Sequence, residues 1–411
     1  WAGANTWRVR FSSPSVNTYT FRTVCSDTTN SSLHNQAGSL QITAYRGDNT
    51  LYQHGPIQVA ADKRHLQHYD GTPFFWLGDT WWMGLSERLP WPEGFQSLVK
   101  DRAEKGFSVI QIVAGLYPDM PMFDERSKNE AGFAWEKEFT HINPAYFEFA
   151  DRRINYLIEN SLVPCLVGCW GYYLSWMGLD KIKQHWRYLI ARYGAYPVIW
   201  CLAGEAVMPY YLAPDKPGDA EKQKRGWTEL GRYVRQINPF ANIVTIHPTQ
   251  FGREQIEDPA VLDFEMLQTG HGSYLSLPNT IKSLQISLSR EPIMPVIVGE
   301  VNYEGILESN RDEIQRLFFW ACILSGAAGH TYGANGLWQV NTPDTVYGPS
   351  PHGTAWGDLS WQDAAQLPGS KHLGIGKKFL TQYRWWEFTP HPDWIEIPGK
   401  SGFYSEDNRD Y

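Results

Sequence analysis

Two apolar runs of this sequence end in the same pair of residues. Residues 197–204, PVIWCLAG, lead into Glu205, and residues 295–299, PVIVG, lead into Glu300. A carboxylate at the end of a buried strand is costly unless it is paired or hydrogen-bonded. Two of them, on strands of one sheet, can work together. Cleaving a glycosidic bond requires such a pair. One carboxyl, kept protonated by a raised pKa, gives its proton to the leaving oxygen, while the other attacks the anomeric carbon or activates water. The plainer reading has each Glu neutralising a nearby Arg or Lys, and the shared context of the two argues for chemistry. The glycine before each Glu leaves room where a substrate or a neighbouring backbone comes close.

The elements that must position these residues follow from the hydrophobic pattern. Eight short apolar runs recur: FFWLG (74–78), SVIQIVAG (108–115), VPCLVGCW (163–170), PVIWCLAG (197–204), NIVTIHP (242–248), LDFEMLQTG (262–270), PVIVG (295–299) and AAGHTYG (327–333). Amphipathic segments such as PAYFEFADRRINYLIENS and RDEIQRLFFWACILSG separate most of them. Strands buried on both faces and spaced by helices predict a parallel sheet, and eight such units predict a (β/α)₈ TIM barrel over residues 61–385. An open doubly wound sheet would carry a Gly-rich phosphate loop after its first strand, where this chain reads LGDTWW. Before the barrel, TWRVRF, TYTFRTVC and GSLQITAY alternate with period two, which predicts a small, partial β-sandwich over residues 1–60. Residues 386–411 are expected to begin a C-terminal β region, from the alternation at Trp394–Ile397.

In such a barrel, function gathers at the carboxyl ends of the strands. Besides Glu205 and Glu300 as catalytic residues, those ends offer a set of substrate-binding candidates. They are Asp79, Trp81 and Trp82 after the first strand, Trp170 after the third, and His247 after the fifth. Gln268 and His271 follow the sixth, Tyr303 the seventh, and His330, Tyr332, Asn335 and Trp338 the eighth. Asp79 reads either as a hydroxyl ligand or as the cap of the next helix. Each tryptophan reads either as a sugar platform or as packing. The three histidines look more like a hydroxyl-binding ring than like core residues. Glu265 and Glu304 are carboxylates nearby that the pair does not need.

Composition narrows the alternatives. The formal net charge is -8 and no Lys or Arg cluster is present, which disfavours nucleic acid and anionic membranes as partners. No apolar run is long enough to cross a bilayer. The aromatic content, 15%, suits a partner with flat C–H faces and hydroxyl rims, such as a carbohydrate. Four of the five cysteines, Cys165, Cys169, Cys201 and Cys322, lie in apolar runs and read as buried thiols. That leans towards a reducing, cytoplasmic setting while leaving export open. No zinc spacing and no H-E-x-x-H occur, so no metal and no other cofactor is expected. No G-x-S-x-G elbow supports a serine esterase. The segment DMPMFDERSKNEAGFAWEKEF (119–139) is long enough to close a pocket over a chain end, which points to exo action. Nothing sets an oligomeric state.

Several stretches together resemble one family. DGTPFFWLGDTWW, RAEKGFSVIQIV, WCLAGE, IVTIHP, LDFEMLQTGH, VGEVNYE and GAAGHTYGANGLWQ resemble the apiosidase-like glycoside hydrolases, and NTWRVRF and GSLQITAY resemble the β-sandwich that often precedes their barrel. The resemblance implies a retaining (β/α)₈ hydrolase with the acid/base at Glu205 and the nucleophile at Glu300. It places Asp79, His271, His330 and Tyr332 at substrate-facing motif positions. One position departs: apiosidases of this family read Gly-Gly-Asp where this chain reads Ala203-Gly204-Glu205. The alternative to a hydrolase is a non-catalytic carbohydrate-binding protein on the same scaffold.

Overall fold

The computed structural model describes residues 1–391. The expected alternation at Trp394–Ile397 lies outside them. Near the N-terminus, β1 (Asn17–Arg22) and β2 (Ala37–Ile42) pair antiparallel, with Asn17 opposite Ile42. The expected strand at TWRVRF is absent, and no full sandwich forms among the described residues. Trp7 and Val9 point into solvent. An alternating run becomes a strand only when a neighbour accepts its backbone bonds, and here none does. That segment is instead tied to the barrel by Arg10, which donates to the carbonyl of Arg192 at 2.7 Å. A short helix α1 (Thr50–His54) and a three-stranded antiparallel sheet of β3 (Ile57–Val59), β4 (Leu66–His68) and β5 (Pro73–Phe74) then lead into the barrel.

All eight apolar runs form strands of one parallel sheet. In chain order they are β6 (Trp76–Thr80), β7 (Val109–Val113), β8 (Val163–Val167), β9 (Ile199–Cys201), β10 (Val244–Thr245), β11 (Glu265–Gln268), β12 (Val296–Glu300) and β13 (Gly329–Tyr332). Each pairs with the next except β10 with β11, and β13 returns to β6, with Tyr332 opposite Asp79. The seam between β10 and β11 is closed by isolated bonds rather than a ladder. Asp263 N–H donates to the Val244 carbonyl at 2.8 Å, and the Asp263 carboxylate accepts the Val244 N–H at 2.7 Å. The result is a TIM barrel.

Its outer layer consists of α2 (Glu93–Glu104), α3 (Pro144–Glu159), α4 (Tyr173–Met177), α5 (Leu179–Tyr193), α6 (Lys216–Ile237), α7 (Leu277–Ser289), α8 (Asp312–Leu324), α9 (Trp361–Ala365) and α10 (Pro368–Leu380). Helix α3 shows why these segments are helical. Asn143 caps Ala145 and Tyr146, Pro144 takes the first turn, and Tyr146, Phe147, Ala150, Ile154, Leu157 and Ile158 form one buried stripe against the sheet. Cys165, Cys169, Cys201 and Cys322 are buried and unpaired, as their apolar surroundings predict, and Cys25 is half-buried.

Alternation along β6 and β13 decides which side chains can reach the barrel mouth. Thr80 of β6 sits inside, near the Gln111 amide, which reaches across to the Gly299 carbonyl at 3.0 Å. Asp79, one residue earlier, turns towards the helices. It meets Arg102 of α2, whose Nε donates to Oδ2 at 2.6 Å, and Trp81, whose indole N–H donates at 2.7 Å. On β13, Thr331 faces inward to the Trp76 indole N–H at 2.9 Å, while His330 and Tyr332 face the helices.

Candidate active site

Glu300 reaches the mouth because β12 is bulged. Val298 stands opposite Leu267, and Glu300 opposite Gln268, so Gly299 is one residue more than β11 has. Val298 is in register with the outward His330. Strict alternation would therefore turn Glu300 outward as well, and the extra residue turns it inward. Bulges beside active sites re-aim side chains in this way. This is the role of the glycine before Glu300.

The glycine before Glu205 has a different role. A Cβ on Gly204 would stand 2.2 Å from the indole ring of Trp170, so the space it leaves is occupied by that ring rather than by a substrate. The Trp170 indole N–H then donates to Glu205 Oε2 at 3.1 Å. Glu205 itself has φ +39°, a left-handed backbone that a Glu rarely adopts. Bonds on either side hold it there. His247 N–H donates to the Ala203 carbonyl at 3.0 Å, Gly171 N–H to Gly204 at 2.8 Å, and Ala206 N–H to His247 at 3.1 Å.

The two carboxyls sit in contrasting surroundings. Burial pushes Glu205 up to about 7, and the charge on Glu300 pushes in the same direction. The amide of Gln268, donating to Glu205 Oε1 at 3.0 Å, only partly opposes this. Burial would also raise Glu300, but the imidazoles of His247 and His271 outweigh it and hold Glu300 well below the usual carboxylate range. His271 Nε2 is 3.0 Å from Glu300 Oε1, and His247 Nε2 is 3.3 Å from Oε2. The Tyr303 backbone N–H donates to His271 Nδ1 at 3.1 Å, which leaves Nε2 as the donor to Glu300. The Tyr303 hydroxyl adds a bond to Oε2 at 2.5 Å, and Gly333 leaves the space its ring occupies. One carboxyl is thus held ionised and hydrogen-bonded, while the other favours keeping its proton.

Both carboxyls line one cavity of about 240 Å³ at the carboxyl ends of the strands. Trp82, Trp170, Gln268, His271, Tyr303 and Trp338 line it too. Trp82 packs edge-on against Trp170 and against His247, at 5.4 and 5.3 Å between centroids, and His247 stays fully buried behind Glu300. Trp338 Nε1, Gln268 Oε1 and both ring nitrogens of His247 have no hydrogen-bond partner among the described residues, so His247 acts on Glu300 by proximity rather than through an aligned bond.

Five candidates lie elsewhere. Asp79 is neither a hydroxyl ligand nor a helix cap, being fully buried against Arg102, and α2 begins after Pro92. Trp81 follows it into the same packing. His330 packs edge-on against Phe319 of α8 at 5.8 Å, and burial pushes its pKa down to about 3. The Tyr332 hydroxyl donates to Glu304 at 2.5 Å, which also settles Glu304 as structural, and Glu265 pairs with Arg253 at 2.6 Å. Asn335 accepts from Gln339 at 2.6 Å and borders a separate hollow with Glu304 and Leu359. The physical reason is common to Asp79, His330 and Tyr332: a strand end presents alternate residues to opposite faces.

The cavity has further walls that strand ends do not predict. Asp119, Met208, Tyr211, His352 and Trp356 come from the connections after β7, β9 and β13. The hints in the sequence are the length of the segment 119–139 and the aromatic content of those connections. A larger hollow of about 770 Å³ opens at the opposite end of the barrel, beside Phe74, Phe107 and Lys377. Catalysis in this architecture gathers at the other face. Among the described residues no group of His, Cys, Asp and Glu is arranged to hold a metal ion.

Known proteins with this fold bear the geometry out at the level of architecture. A glycoside hydrolase family 5 protein from Bacteroides vulgatus superimposes with TM-score 0.70 at 23% identity, over 86% of this chain and 77% of that one. Another structure, described as a glycoside hydrolase, gives 0.69 at 24% identity, over 86% and 80%. A family 5 mannosidase from Rhizomucor miehei gives 0.55 at 13% identity, over 80% and 98%. No curated protein matches in sequence. The model of the apiosidase-like catalytic domain matches residues 60–387, and the chain belongs to the apiosidase-like family.

Proposed function

We propose that the protein is a retaining, exo-acting glycosidase in which Glu300 is the nucleophile and Glu205 the acid/base. The observation that carries this is the pair itself: two carboxyls on one small cavity, with opposite preferences for the proton. Glu300, ionised, attacks the anomeric carbon. The bond to the leaving oxygen breaks, and Glu205 gives that oxygen its proton. Forming the ester removes the negative charge that helps to hold the Glu205 proton. Glu205, already ionised by giving up its proton and now more readily kept so, takes a proton from water as the water oxygen attacks the anomeric carbon and displaces Glu300.

Other features support the rest of the reading. Gln268 and Trp338 add an amide and an indole to the cavity lining, groups that suit sugar hydroxyls. Trp82 and Trp170 offer flat faces. The volume, about 240 Å³, lies below the roughly 300–1,000 Å³ of pockets for drug-sized ligands and suits one terminal sugar. The family description and the names of the fold relatives speak for glycosidic-bond cleavage. Glu205, one methylene longer than the aspartate of apiosidases, argues for a glycone other than apiose.

A panel of aryl furanosides and pyranosides of both anomers tests the proposal, with wild type and Glu300→Ala side by side. Cleavage by wild type alone, with the first-formed sugar keeping its anomeric configuration by NMR, is the expected result. An inverted first product would overturn retention. If nothing is cleaved while oligosaccharides raise the melting temperature, the protein is a carbohydrate binder.

A further inference from the structure

Three connections of the barrel meet on one carboxylate. Asp119 follows β7, lines the cavity and is 7% exposed. Its Oδ1 accepts the hydroxyl of Tyr211, from the connection between β9 and α6. Its Oδ2 accepts from Ser350 Oγ at 2.6 Å and from the Trp356 indole N–H at 3.0 Å, both between β13 and α9. The neighbouring Pro118 carbonyl accepts the Tyr347 hydroxyl at 2.7 Å, so the same two connections are stitched twice. The backbone of Asp119 has φ +52°, a left-handed conformation uncommon outside glycine and kept where the surroundings hold it.

The choice of a carboxylate at this position is informative. Burying an acid without a paired cation is costly; among the described residues none forms an ion pair with Asp119, and Arg126 acts on it only at a distance. It is satisfied by three neutral donors on two other connections, and those donors are what it holds in place. Tyr211 and Trp356 are themselves cavity walls, and His352 lies between them, 4.7 Å from the Tyr211 ring and 6.1 Å from Trp356.

We propose that Asp119 is a positioning residue that draws the connections after the second, fourth and eighth barrel strands together over the cavity, so that only a chain end can enter. The closure stands on geometry alone, and the selectivity for chain ends rests on the glycosidase reading. A second effect follows from charge. Asp119 is one of the groups facing Glu205, with Glu300, His247, Gln268, Trp170 and Tyr211, and its negative charge favours the protonated form of Glu205.

Chymotrypsin tests the closure, since the segment between β13 and α9 carries Tyr347 and Trp356. In Asp119→Ala, cleavage there should quicken at least about tenfold, as expected when a hydrogen bond to a charged group is lost and the local opening grows. Ser350→Ala removes one donor and should give a smaller increase. Unchanged cleavage in both variants overturns the proposal. Asp119→Asn, which keeps the size of the side chain, serves if the alanine variant does not fold. With an aryl glycoside that wild type cleaves, Asp119→Asn should move the alkaline limb of the pH profile down, an effect that a purely mechanical role would not produce. Asp119→Ala should gain activity on the polymer of the same sugar relative to the aryl glycoside, and an unchanged ratio would overturn the selectivity. If wild type cleaves no glycoside, the hydrolase reading fails while the proteolysis still decides the closure.

Discussion

Asp79 and Glu300 are both buried carboxylates at the ends of adjoining parts of one barrel, and they have opposite fates. Asp79 turns towards the helices and is matched by the guanidinium of Arg102. Glu300, turned inward by a bulge, meets two imidazoles and a phenol and keeps a face on the cavity. The first is neutralised by a full charge that never leaves it. The second is stabilised by hydrogen bonds that leave its oxygens able to react. Burial alone therefore does not separate the two. What matters is whether the compensating groups consume the carboxylate or only steady it.

That comparison can be broken from either side. Glu300→Ala should reduce turnover by more than about 10⁴-fold while leaving the melting temperature near wild type, with azide restoring part of the activity. A variant that keeps its activity removes Glu300 from the chemistry. Glu205→Gln should slow substrates with poor leaving groups by about 10²–10⁴-fold and those with good leaving groups far less. Equal losses for both would count against the acid role. Asp79→Ala should do the reverse of Glu300→Ala. It strands Arg102 in the core and should cost about 3–5 kcal/mol in urea unfolding, with little effect on kcat in whatever remains folded.

The pH profile sharpens the same contrast. Glu205 must be protonated to donate, so the rate should fall as the pH rises through about 7. In the proposed mechanism Glu300 must be ionised to attack, and its depressed pKa should extend activity far into the acid range. Tyr303→Phe removes one bond to that carboxylate, so the acid limb should rise by about 1–2 units. An acid limb that stays in place would show the imidazoles to be sufficient.

Much of this was legible in the sequence, and the misreadings share a cause. The short apolar runs and the helical stripes are local signals, and they located all eight barrel strands. The Gly-Glu ends were legible for the same reason. Asp79, His330 and Tyr332 depart from their expected places because a strand end has two faces, and their local sequence does not say which one meets the cavity. TWRVRF had the pattern of a strand without the neighbour that makes one. Asp119 opens the segment whose length suggests a cover for the pocket, but its own role carries no local signal, since its three partners lie 92, 231 and 237 residues away.

The sequence by itself determined the alternation of strand and helix, hence the barrel, and the two acids at the ends of its fourth and seventh strands. Hydrophobic periodicity is written in neighbouring residues, and burial follows from it. Only the tertiary structure decided which way those acids face, which of them keeps a proton, and what closes the space above them. Those outcomes depend on the register between β11 and β12, on the imidazoles that pairing brings to Glu300, and on connections that meet across the mouth. Each is a contact between distant parts of the chain, and no local pattern encodes it.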